Sequence, residues 1–162
     1  MVKIAETANI SKLCLIQESI RGTSIIIGEN VFIDAFVKIQ PVGGTGDIII
    51  GNSCNINSGT TIHSGNGVYI GDNVLIAPNC VLSGSNHQYS DKNVLIRHQG
   101  FKPSKGGILI EDDVWIGAGC IILDGAVLKK GCVVGANSLV NSIIPEYAIC
   151  TGSPAKVISY RE

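Results

Sequence analysis

The sequence predicts an all-β chain: a parallel β-helix of about six triangular coils with one long extruded loop at about 88–107. Three observations predict it. Large aliphatic residues recur every six positions, small or β-branched residues fill the fifth place of the same hexads, and turn-forming residues fill the fourth. A fixed short period of this kind is the signature of a stacked-repeat architecture.

The first column reads Ile4, Ile10, Ile16; then, after a shift, Ile27, Ile33, Ile39; Ile50, Ile56, Ile62; Ile70, Ile76, Leu82; and without a break Ile110, Ile116, Ile122, Leu128, Val134, Val140. The fifth-place column holds Ala8, Cys14, Ile20, Val31, Val37, Cys54, Thr60, Val74, Cys80, Val114, Cys120, Ala126, Cys132 and Ser138. Asn30, Ser53, Gly59, Asn73, Asn79, Asp113, Gly119, Gly125, Gly131 and Asn137 stand in the fourth place, where a left-handed turn residue belongs. Each hexad thus offers a large inward side chain, a turn and a small inward side chain, and three hexads close one coil. A single coil cannot bury its own apolar face, so the core forms only when coils stack.

Composition agrees and excludes much. Charged residues are 15% of the chain and the mean hydropathy is +0.34, yet no apolar run approaches the ~18 residues of a membrane span. Lys and Arg are scattered and the net charge is −1, which gives no electrostatic footprint for nucleic acid. Met1–Glu6 lacks the basic-then-apolar pattern of a secretory leader, so the expected address is cytoplasmic. The six cysteines form no Cys-x-x-Cys pair. Cys14, Cys54, Cys80, Cys120 and Cys132 fall in the small inward column, which reads them as reduced packing residues; Cys150 lies outside the phase.

The repeat is interrupted three times. Pro41–Gly46 reads as a small surface loop, and two extra residues accompany Gly65-Asn66-Gly67. The third break is the long one, at 88–107, opening just after His87. Insertions of this length in a compact domain carry function or stay disordered, and a histidine at the mouth favours function. The repeat is expected to span 1–145 and to end at Pro145, leaving 146–162 as a closing segment. Outward places hold Thr61, Val81, Ile121 and Leu139 in one column and Asn55, Leu75, Trp115 and Val133 in a second, with His87 assigned to the third. Two sides this apolar are expected to be covered by another subunit.

Two stretches are more specific than the period: Ile70-Gly71-Asp72-Asn73-Val74-Leu75-Ile76-Ala77-Pro78-Asn79, leading into His87, and Asp113-Val114-Trp115-Ile116-Gly117-Ala118-Gly119, following the loop. With the repeat, they resemble the hexapeptide-repeat acyltransferases, in particular sugar and xenobiotic O-acetyltransferases, over almost the whole chain. The resemblance implies a left-handed coil, a homotrimer, and transfer of an acetyl group from acetyl-coenzyme A without a metal. It implies His87 as the catalytic base, and imidazole has the right ordinary pKa for that task. It matches Asn57 to an acceptor contact. Tyr89 and Asp91, in the loop beyond His87, are further candidates to bind the acceptor or orient the histidine. Gly117, Ala118 and Ala136 match the positions along which the pantetheine arm lies, with Trp115 as a packing wall, Lys156 near the nucleotide, and an N–H near Ala118 for the oxyanion. Gly152-Ser153-Pro154-Ala155-Lys156-Val157-Ile158 matches the stretch that closes the bottom of the helix. One departure stands out: relatives commonly carry a Lys after the last full coil, where this chain has Asn141-Ser142. The repeat starts near Ile4, without the N-terminal helical segment of maltose- and galactoside-type relatives, which favours an acceptor among sugars of surface polysaccharide. N-acetylation of an amino sugar or antibiotic and a non-catalytic scaffold are the alternatives. A carbonic-anhydrase-like metal site is disfavoured, because His63, His87 and His98 lack that family's tight spacing and His98 is inside the loop.

Overall fold

The computed structural model describes residues 1–162, and it is built almost wholly of short parallel strands. They stack into three sheets, one along each side of a triangular prism. The first face carries Val2–Ile4, Ile25–Ile27, Ile48–Ile50, Val68–Ile70, Ile108–Ile110, Val127–Leu128 and Ile143–Ile144. The second carries Asn9–Ile10, Phe32–Ile33, Asn55–Ile56, Leu75–Ile76, Trp115–Ile116, Val133–Val134 and Ala148–Gly152, and then Ala155–Tyr160. The third carries Leu15–Ile16, Lys38–Gln40, Thr61–His63, Val81–Ser83, Ile121–Leu123 and Leu139–Val140.

The three columns behave as the period requires. The aliphatic positions from Ile27 to Val140 are all buried, in one continuous core with the small fifth-place residues. Each fully buried aliphatic side chain contributes about 1.5–3 kcal/mol. All ten fourth-place residues have positive φ, from 55° at Asn30 and Ser53 to 86° at Gly125. Phe36 (φ 62°) occupies the same place in its hexad, a bulky residue held in the left-handed region by its position in the coil. The 40-residue step from Ile70 to Ile110 costs the stack nothing: Val68 pairs with Ile108 and Ile70 with Ile110, in the same register as the coils on either side.

Three expectations are corrected. Ile20, assigned to the small inward column, is 98% exposed, because it lies in the excursion between the first and second coils. The repeat does not end at Pro145. A connection shortened at Asn141-Ser142 hides the phase, which resumes as Ile144 (paired with Leu128), Ala148 and Cys150 (paired with Val134). Cys150 is therefore a fully buried large-column residue of a seventh, partial coil. Burial pushes its thiol up to about 11 and that of Cys132 up to about 12, and all six cysteines are free. Ala155–Tyr160 then runs antiparallel to Ala148–Gly152 and closes that end of the second face. Finally, the third outward column does not contain His87. It belongs to the first face and holds Ile26, Ile49, Tyr69, Leu109, Val127 and Ile143, so all three faces are apolar.

No helix is long and apolar enough to cross a membrane.

Candidate functional site on two edges of the prism

The expected site residues sort onto the two edges that border the third face. Asn57, Gly117, Ala118 and Ala136 lie where the chain turns from the second face to the third, since each follows a second-face strand and precedes a third-face one. His87, Tyr89 and Asp91 lie where it turns from the third face to the first. One protomer therefore does not bring the two groups together.

The first edge is regular. Gly117 is fitted so closely that an added Cβ would sit 2.7 Å from the Ala136 nitrogen and 2.9 Å from the Val134 oxygen. Its own amide groups are committed: the N–H donates to the Val134 carbonyl (2.8 Å), and its carbonyl accepts the Cys80 thiol (3.2 Å). Its contribution to the edge is a missing side chain. Ala118 and Ala136 are exposed, and neither N–H donates within the chain. Asn57 is half-buried and its Nδ2 donates to the Ile76 carbonyl (2.8 Å), tying one coil to the next. Trp115, 52% exposed on the second face, lines a cavity of about 320 Å³ with Leu75, Val133 and Arg161. Lys156 is exposed on the closing antiparallel strand.

The second edge is built by local contacts. Gly84 crosses so near the coil below that a Cβ there would lie 2.7 Å from the Ser64 oxygen, and one on Gly107 would lie 2.5 Å from the Gly67 oxygen. This close approach lets the loop's two legs leave and rejoin the prism side by side. They zip together as an antiparallel bridge at His87 and Phe101, with Gln88 N–H donating to Gly100 O (2.9 Å) and Lys102 N–H to Asn86 O (2.8 Å). The rings of His87 and Phe101 stack, centroids 4.8 Å apart at 25°. His87 is exposed, and neither ring nitrogen is engaged in a hydrogen bond.

Tyr89, two residues further along the same leg, has the Lys102 ammonium 3.7 Å from its ring centroid. That ammonium, and more distantly Lys105, pulls the phenol below its ordinary value. Asp91 serves the loop rather than the imidazole: its carboxylate accepts the Asn93 N–H (2.9 Å), and no bond joins it to His87. The loop is ordered by such bonds. The Gln99 amide donates to the carbonyls of Asp91 (2.8 Å) and Val94 (2.7 Å) and accepts the Asp91 N–H (3.2 Å).

Several residues that shape this edge escape a reading by period: Phe101, Gln99, Lys102, Lys105 and Asp124. Asp124, 4% exposed, clamps the returning leg by accepting the N–H groups of Lys105 and Gly107, each at 2.9 Å. The signal for it was a carboxylate roughly one coil after the loop's return, visible only once coils are stacked. His63 lies in Thr61–His63 on the third face, and its pKa is lowered by burial and then by the Lys38 charge.

Comparison with known proteins gives a family match and many relatives. The bacterial transferase hexapeptide family (six repeats) matches residues 107–142. A hexapeptide-repeat-containing acetyltransferase of Vibrio cholerae, solved with acetyl-coenzyme A, is 31% identical over 84% of this chain and 71% of its own, with a TM-score of 0.71. A variant of AntD, an N-acyltransferase of Bacillus cereus solved with dTDP-4-amino-4,6-dideoxyglucose and coenzyme A, is 25% identical over 99% of this chain and 84% of its own, with a TM-score of 0.83. A 2,3,4,5-tetrahydropyridine-2,6-dicarboxylate N-acetyltransferase of Staphylococcus aureus is 46% identical over 56 residues, 35% of this chain and 23% of that protein. The chain spans about a quarter of the length of the curated relatives it matches.

Proposed function

The chain belongs to the hexapeptide-repeat transferase family, built on the left-handed parallel β-helix, and from that premise we propose that it moves an acetyl group from acetyl-coenzyme A straight to an acceptor hydroxyl, with His87 as general base. The observation that carries this reading is the state of His87: exposed at the loop mouth, braced flat on Phe101, both ring nitrogens free. A ring nitrogen takes the acceptor's proton as its oxygen attacks the thioester carbonyl. The tetrahedral intermediate collapses with loss of the thiolate, and the imidazolium returns the proton to that sulfur. Direct transfer needs no acyl-enzyme, in keeping with cysteines that are all in the core or half-buried in the first coil.

The separation of the two edges supports a homotrimer. Packed round a three-fold axis, the second edge of one protomer meets the small-residue edge of its neighbour, so that the free N–H of Ala118 faces the developing oxyanion across the seam. The pantetheine arm then threads past Gly117, Ala118 and Ala136, with Trp115 as a wall and Lys156 toward the nucleotide. Apolar outward columns on every face give such an assembly its contact area. Six free thiols without a disulfide suit a cytoplasmic setting.

A sugar hydroxyl is the first candidate acceptor. A second reading, N-acylation of an amino sugar, draws support from the likeness to the Bacillus cereus N-acyltransferase; the same base serves both. The test is acetyl-CoA consumption over a panel of sugars and amino sugars, wild type beside His87→Ala. The variant should lose about 10²–10⁴-fold in kcat, and equal turnover by both proteins would remove His87 from the chemistry.

A further inference from the structure

The long loop is the most basic part of the molecule. Residues 88–107 hold Lys92, Arg97, Lys102 and Lys105 against the single carboxylate Asp91, whereas the remainder of the chain holds eight cations against twelve carboxylates. A third of the positive charge thus sits in an eighth of the length, in an otherwise acidic protein. Two of those cations converge. Lys102 and Lys105 line a cavity of about 230 Å³ with Asn86, Tyr89, Asp124 and Asn141, and Asn86 is the residue directly before His87. Neither lysine is in a salt bridge; the chain's two ion pairs are Lys129–Glu111 and Arg161–Asp113. The only carboxylate in the lining, Asp124, spends its two oxygens on the N–H groups of Lys105 and Gly107. The wall therefore carries two ammonium groups that no carboxylate neutralises, one of them resting on the Tyr89 ring, with neutral hydrogen-bonding amides beside them.

On the acyl-transfer reading the thioester lies at His87 and the phosphates of coenzyme A a full pantetheine arm away. An anion held against Lys102 and Lys105, in a cavity that begins at Asn86, is on that reading assigned to the other substrate.

We propose that this cavity is an anion-recognising acceptor subsite: Lys102 and Lys105 hold a phosphate or carboxylate of the acceptor and so present its hydroxyl or amine to His87. The inference rests on the acyl-transfer reading for the identity of the reaction, but the binding it asserts is measured separately. A charged group held between two ammonium ions gains orientation as well as affinity, which a neutral sugar lacks.

The experiment is calorimetric titration of the whole protein with glucosamine, glucosamine 6-phosphate, glucuronate and inorganic phosphate, each with and without saturating coenzyme A. Wild type, Lys102→Met/Lys105→Met and Lys92→Met are compared. Glucosamine 6-phosphate, alone or together with glucuronate, should bind at least about tenfold tighter than glucosamine, with or without coenzyme A. The preference should vanish in the double variant, persist in Lys92→Met, and shrink as salt screens the lysines. If the phosphate sugar alone gains, the group is a phosphate; if glucuronate gains equally, a carboxylate suffices; either supports the subsite. Equal binding of neutral and anionic sugars would overturn it, as would a preference that survives the double substitution or is lost equally in Lys92→Met. Loss of the anion effect whenever coenzyme A is bound would assign the lysines to the cofactor and overturn it too. Absence of acetyl transfer with the binding pattern intact would sink the acyl-transfer reading and leave the subsite standing.

Discussion

The two edges that border the third face are made in opposite ways. Along Asn57, Gly117, Ala118 and Ala136, placement comes from the stacking of coil on coil: the Asn57 amide ties to Ile76, and Gly117 is wedged under Ala136. Along His87, Tyr89 and Asp91, placement comes from contacts of one detour: a ring stacked on Phe101 and a knot at Gln99 within it, and a clamp at its return from Asp124 of the next coil. The first edge shares the stability of the whole stack, while the second is a local structure that the stack merely anchors. Damage to one should register as lost folding, and damage to the other as lost chemistry.

The sharpest way to break that contrast is to replace Gln88–Lys105 with a short Gly-rich turn. Acetyl transfer should fall by at least about 100-fold, since the brace and the acceptor contacts go together. The melting temperature should move by only a few degrees, read by circular dichroism. A collapsed melt would mean that the detour is part of the core.

Gly117→Val probes the other edge. A side chain there meets backbone of the next coil at 2.7 and 2.9 Å, and forcing it in should cost about 1–3 kcal/mol. Chemical denaturation should reveal the loss, and an unchanged midpoint would show the coil to be more yielding than the packing implies.

Phe101→Ala leaves the stack alone and frees His87. Aromatic pairing is worth about 0.5–1.5 kcal/mol, so kcat should drop between about two- and tenfold with no change in melting temperature. A variant as active as wild type would show that the imidazole needs no brace.

The smallest effect concerns His63, on the face between the edges. Burial and Lys38 lower its pKa in the fold, so the unfolded chain binds its proton more readily. Stability should therefore rise with pH as the folded and then the unfolded imidazole lose the proton, and be complete above the ordinary value of about 6.5. On acidification below that value the stabilisation is lost. His63→Gln should flatten this slope in thermal melts taken across the range, and an identical slope would assign it to other groups.

The same division explains what could be read from the chain before its structure. Inward Ile and Cys, and turn residues such as Asn73 and Asp113, repeat because stacking forces each coil to solve the same packing problem. A period of six therefore reports burial and backbone sign directly. Where a connection shortens, the phase is masked: two residues fewer at Asn141-Ser142 hid Ile144, Ala148 and Cys150, although the packing demand had not changed. Ile20 misled in the reverse sense, falling on the period by number while the chain had already left the coil. The histidine at the loop mouth was legible, but its partners were not. Phe101 is 14 residues away from His87, and Lys105 and Gly107, which Asp124 holds, lie at the end of an insertion that has no repeat to count by.

Because Val68 and Ile70 meet Ile108 and Ile110 as though nothing had come between, the detour leaves and re-enters at practically one point. Its length is then almost free: doubling such an excursion costs only about 0.6 kcal/mol of closure entropy. Recognition of the acceptor can be rewritten there, longer, shorter or with different charge, without any rung having to be renegotiated. A scaffold of this kind keeps its reactive imidazole while exchanging the partner it serves.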